Sequence, residues 1–137
     1  MLSRSIEKDI LDYCGKNGIG VVCYSPLQKG LLTGKFSADY LKTMSPEDHR
    51  LVRDRDFMSP RFEKNIALVD QLKKIAADFG KPVAQLAIAW LLRRQEVTSA
   101  IVGARKPQQI EQTAPAGEWV LDAEITKRVD AIIKEYQ

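Results

Sequence analysis

Apolar residues recur at helical spacing in several stretches of the chain and run almost unbroken in two short ones. Ile6, Ile10, Leu11 and Cys14 fall on one face of a helix for which Ser5 is a suitable N-cap, since its hydroxyl can accept from a first-turn amide. Asn17-Gly18 stops that helix, and Gly20 marks a tight entry to the next element. Residues 19–24 (IGVVCY) form a short, nearly continuous run rich in β-branched side chains. Such a run after a helix predicts a buried parallel strand. Ser25-Pro26 ends it, because proline has no N–H to give to a ladder.

Residues 27–59 are polar and irregular, and a connection of that length in a compact domain points to a functional segment. Within it, Ser45-Pro46-Glu47-Asp48 predicts a short helix with Ser as cap and Pro in the first turn. Ser59-Pro60 repeats that signal, and Ile66, Val69, Leu72, Ala76 and Phe79 follow at spacings of three and four. Gly80 closes this helix and Pro82 opens another, whose residues 83–92 (VAQLAIAWLL) are apolar on most sides and so belong in the core. Arg93-Arg94-Gln95 ends it, and residues 97–102 (VTSAIV) predict a second buried strand. Lys106-Pro107 begins a short helix, and Asp122 caps a last one carrying Ile125, Val129, Ile132 and Ile133. Strands separated by helices predict a helix-rich α/β fold with parallel pairing. Two strands are too few to close a barrel, which takes about eight.

Composition narrows the class. At 137 residues, 45% hydrophobic and 28% charged, residues 1–137 suit one ordinary globular domain. The net charge of +3, from 21 Lys and Arg against 18 Asp and Glu, is small and dispersed, which argues against a nucleic-acid partner. Cys14 and Cys23 form no metal or redox motif and are expected as reduced core residues. There is no signal peptide and no apolar run long enough to cross a bilayer, so the expected setting is cytoplasmic, with no membrane partner.

Two segments could carry chemistry. In the first (YSPLQKGLLTGK, 24–35), a strand empties into a glycine-containing loop, where α/β folds expose backbone amides to ligands. Lys35 could meet a phosphate as a point charge, although the run reads equally well as a plain turn with a solvated lysine. A P-loop does not fit. Three residues separate Gly30 from Gly34, and Phe36 stands where magnesium would need Ser or Thr. In the second segment (GARKPQQIEQT, 103–113), a strand passes through Gly103 into Arg105-Lys106 and the start of a helix. Exposed amides and a guanidinium fork there suit a phosphate monoester, with a solvated basic turn as the alternative.

Together YSPLQKGLLTGK and IVGARKPQQIEQT resemble the two cofactor-binding stretches of the aldo-keto reductase superfamily, and LSRSIEKDILDYC and QLAIAWLLRR are similar to family sequence in the same order. The resemblance covers essentially the whole chain. It implies part of a (β/α)8 TIM barrel, from just after strand six to the C-terminal helix, and an NADP(H) cofactor. By that resemblance Tyr24 stacks on the nicotinamide, Ser25, Pro26 and Leu27 line the pyrophosphate, and Lys35 approaches it. Gly103 and Arg105 hold the adenosine 2′-phosphate, and Gln109 and Gln112 sit by the adenosine. Thr113 stands where the family usually has Asn, and a hydroxyl lacks the amide's paired donor and acceptor.

The family's Asp, Tyr, Lys and His tetrad comes from the first half of the barrel, so no catalytic residue is expected among these positions. His49 lies beside Glu47 and Asp48 and reads as solvent-facing, and Tyr13, Tyr40 and Tyr136 match no catalytic motif. Three readings follow. The chain is a reductase segment acting on a small carbonyl substrate once its barrel is completed, a catalytically silent nucleotide-binding or regulatory module, or a truncated fragment without function. In each case two strands would leave open edges and apolar faces, which predicts self-association or cover by another chain.

Overall fold

The two apolar runs pair in parallel. In the computed structural model, which describes residues 1–136, β1 (Val21–Tyr24) lies beside β2 (Val97–Ile101), with Val22 opposite Ser99 and Tyr24 opposite Ile101. Helices α1 (Ile10–Lys16), α2 (Ala38–Lys42), α3 (His49–Arg53), α4 (Arg61–Asp78) and α5 (Val83–Leu92) precede or connect these strands. After β2 come α6 (Pro107–Thr113) and α7 (Ala123–Tyr136). The fold is a helix-rich α/β arrangement with parallel strand pairing, as the sequence pattern predicts, and is compatible with the part of a barrel that the family resemblance implies.

The main core lies where α4, α5 and α7 meet. Leu68, Val69 and Leu72 from α4, Leu86 and Trp90 from α5, and Val129 and Ile133 from α7 are each at most 1% exposed. Each such side chain contributes about 1.5–3 kcal/mol by leaving water. Gly80 adopts a left-handed φ of 62° and Pro82 follows, so the chain turns by 90° between α4 and α5. That turn lets two consecutive helices present apolar faces to one interior. At its edge the Trp90 indole donates to Asp130 on α7 at 2.9 Å, while the guanidinium of Arg93 lies 3.6 Å from its ring centroid and that of Arg4 lies 5.2 Å away.

Four expectations need correction. The first predicted helix is broken. Ser5 opens a single 3-10 turn (Ser5–Glu7) without a capping bond, Arg4 grips Glu7 across it at 2.7 Å, and α1 starts only at Ile10, itself 54% exposed. Ser45 opens a turn rather than a helix. The nearby helices are capped instead by Ser37, which accepts from the Tyr40 N–H, and by Asp48, which accepts from that of Arg50. At the start of α4, Pro60 occupies the cap position after a cis Ser59-Pro60 bond, so Ser59 is not the cap. Finally, the strands are buried on one face at most. Val97 is buried and Val21 and Cys23 are half-buried on the helix side, but Val22, Tyr24, Ser99 and Ile101 all lie exposed on the other. An unbroken apolar run is what a strand covered on both faces requires, and these helices cover one. Cys23 is therefore half-buried rather than a core residue, whereas Cys14 is buried; both are free thiols.

The segment expected to be irregular has a core of its own. Leu31, Phe36, Phe57 and Phe62 cluster with each at most 7% exposed, and Phe36 meets both Tyr40 and Phe57 edge-on at 5.1 Å between ring centroids. His49 is exposed, as expected.

Candidate cofactor-binding site

Strand register decides where the two chemical segments go. Tyr24 and Ile101 are paired and each is the last residue of its strand, so residues 25–35 and 102–113 leave the sheet from the same carboxyl end. The Tyr24 ring stands in the open at 82% exposure.

Beyond it the backbone turns through left-handed conformations at Ser25 (φ 50°), Gln28 (44°), Lys29 (51°), Gly30 (97°) and Gly34 (74°). At the three non-glycine positions this costs about 1–2 kcal/mol each, so the surroundings must impose it. Leu31 and Leu32 are sunk into the two cores and Leu27 packs against the main one. The Gln28 side-chain amide donates to Asp56 at 2.5 Å, and the Lys29 ammonium meets Asp54 at 2.7 Å. Asp56, itself buried, also receives Arg61 at 2.6 Å, while its backbone carbonyl accepts from Asn65. Burial works against charge on Asp54, but Lys29 and the Asp56 N–H outweigh it and hold the carboxyl below its ordinary value. At Gly34 a Cβ would come within 2.5 Å of the Lys73 side chain and 3.0 Å of Val83, so a side chain there would displace the lysine, crowd the valine and strain the backbone at φ 74°. Lys35 follows it, exposed.

The second segment is fastened differently. Residues 103–112 are all exposed. A Cβ added at Gly103 would meet nothing within 4 Å, so packing within the chain places no demand for glycine at that position. The Gln109 side-chain carbonyl accepts from the N–H of Arg105 at 2.6 Å and of Lys106 at 3.2 Å. The Thr113 hydroxyl donates its hydrogen to the Gln109 carbonyl at 2.7 Å, within α6. Gln85, in the core helix α5, donates to the Gln112 carbonyl at 2.7 Å, while its own Oε1 is buried without a hydrogen-bond donor among the described residues. The Arg105 guanidinium makes no ion pair among the described residues.

Tyr24, Ser25, Gly103 and Arg105 thus share one exposed end of the sheet, with Pro26 and Leu27 half-buried just behind. A cavity of about 370 Å³ between residues 1–7, β1 and the end of α5 touches Tyr24, Ser25 and Pro26 but none of residues 103–113. Sequence reading missed Gln28, Asp54, Asp56 and Gln85, whose roles arise from partners distant in the chain. No cluster of three or more His, Cys, Asp or Glu that could hold a metal occurs among the described residues. No single helix among them is long and apolar enough to cross a membrane.

The sequence matches the aldo/keto reductase family pattern across residues 1–134. The chain belongs to that family. It is 36% identical to aldo-keto reductase YhdN of Bacillus subtilis over 98% of its own length and 40% of that protein's. It is 33% identical to the NADH-specific methylglyoxal reductase of Escherichia coli over 85% of this chain and 34% of the relative. The glycerol dehydrogenase of Gluconobacter oxydans superposes on 98% of this aldo-keto reductase chain with a TM-score of 0.87 and 40% identity, again over 40% of the larger chain. The chain therefore spans about two fifths or less of the length of these relatives.

Proposed function

We propose that this chain forms the NADP(H)-binding portion of an aldo-keto reductase that reduces a small aldehyde or ketone in the cytoplasm, with the proton donor to the carbonyl oxygen outside these 137 residues. The observation that carries the reading is the shared exit of the two loops, set by the pairing of Tyr24 with Ile101. The residues fit such a cofactor. Open space at Gly103 lets an outside group approach the backbone, and Arg105 offers a planar fork with no carboxylate paired to it among the described residues. NADPH would supply the hydride. Tyr24 would present its exposed ring to the nicotinamide, Ser25, Pro26, Leu27 and Lys35 would border the pyrophosphate, and Gly103 and Arg105 would hold the 2′-phosphate. Gln109, Gln112 and Thr113 would flank the adenosine.

One relative is named for NADH, so coenzyme choice is a property to be measured on this chain. Titration of reduced-nicotinamide fluorescence should show tighter binding of NADPH than of NADH. Arg105→Ala should weaken NADPH about tenfold or more, the effect of losing a charge-assisted hydrogen bond of about 1.5–3 kcal/mol, and leave NADH within about twofold. Equal affinity of the unaltered chain for both coenzymes would remove the role given to Arg105.

A further inference from the structure

We infer that Gln109 is a positioning residue for coenzyme selectivity, its side-chain carbonyl fixing the backbone from which Arg105 reaches the nucleotide's extra phosphate. This rests on the cofactor reading above and adds to it a determinant that would act through Arg105.

A primary amide oxygen has two lone pairs, and Gln109 places both on consecutive N–H groups, those of Arg105 at 2.6 Å and Lys106 at 3.2 Å. Neither N–H donates to a backbone carbonyl among the described residues. The other bond across this turn among the described residues also belongs to Gln109, whose N–H donates to the Lys106 carbonyl at 3.0 Å, and residues 103–109 are all exposed. An exposed turn with few contacts samples many positions unless a specific bond holds it.

Gln109 is itself tied back to the interior. Its main-chain carbonyl accepts from the Thr113 hydroxyl at 2.7 Å, and the neighbouring Gln112 carbonyl accepts at 2.7 Å from Gln85, only 8% exposed in α5. A continuous path therefore runs from the buried helix through the last turn of α6 to Gln109 and on to Arg105. The guanidinium is presented from a backbone position set by the core, and binding need not order that turn first. With its acceptor engaged inside the protein, Gln109 would flank the adenosine without a hydrogen bond to it.

The test replaces Gln109 by methionine, which keeps length and bulk and removes the amide acceptor. Because Gln109 is exposed, the change leaves the core untouched. NADPH and NADH are titrated against the full chain, and amide exchange at Arg105 and Lys106 is followed by NMR without coenzyme. The expected result is about fivefold or more weaker NADPH binding, NADH binding within about twofold, and faster exchange of both amides. Gln109→Glu, which keeps the acceptor, should exchange as slowly as the unaltered chain. If Arg105→Ala abolishes the preference for NADPH but Gln109→Met preserves it with unchanged exchange, the positioning role is overturned and the cofactor reading stands. Equal loss of NADPH and NADH in Gln109→Met would make Gln109 a direct adenosine contact and also overturn it. An unaltered chain that binds neither coenzyme, or both equally, overturns the cofactor reading and this inference with it.

Discussion

Ser25 is where sequence and conformation disagree most sharply. It sits directly after Tyr24 with a φ of 50°, a region that a Cβ makes costly by about 1–2 kcal/mol and that glycine enters freely. Glycine would give back part of that gain, about 0.5–1 kcal/mol, through the greater freedom of its unfolded chain. Ser25→Gly should therefore raise stability by roughly 0.5–1 kcal/mol in urea titrations. A loss would mean that the hydroxyl makes a compensating contact. The candidate residues were legible because YSPLQKGLLTGK and IVGARKPQQIEQT stand out as runs. The pairs that hold them were not. Gln28 and Asp56 are 28 positions apart, and nothing local to either marks the other as its partner.

Among elements, those with a long apolar stripe read directly from sequence. α4, α5 and α7 bury most of the predicted positions, because a three- or four-residue repeat over several turns leaves one way to hide it, but Phe79, expected on the α4 face, lies just past the helix end and is 42% exposed. The segment between β1 and α4 did not, since its order depends on aromatic residues gathered from scattered positions and on ion pairs that only the fold assembles. One of those pairs makes the segment sensitive to acid. Asp54 is held below its ordinary value in the folded chain, so its stabilising effect is complete above the unfolded carboxylate value of about 3.9 and is lost as pH falls through the folded one. Unfolding midpoints measured from neutral pH downward should therefore fall below about pH 4, and Asp54→Asn should show a shallower decline than the unaltered chain. Parallel declines would assign the acid sensitivity to other carboxylates.

At the scale of the molecule, the parallel pairing was legible but the cover of its strands was not, because an apolar run says that a strand wants two covered faces and not whether both covers are in the same 137 residues. Val22, Tyr24 and Ile101 lie on the uncovered face at 55%, 82% and 58% exposure, and the two strands make a sheet with two outer edges. We propose that the chain alone self-associates through this face. Sedimentation should show mass rising with concentration, and Val22→Lys should return the chain to monomers with its helix content intact. A unaltered chain that stays monomeric at every concentration would end that proposal. Trp90 has a different consequence for the same molecule. Its ring is flanked by guanidinium groups from residues 4 and 93 and its N–H is taken by Asp130, so it works as a clasp joining the first segment to the last helix. A change at either end alters the surroundings of the same indole, so Trp90 fluorescence would report on both ends of the described chain.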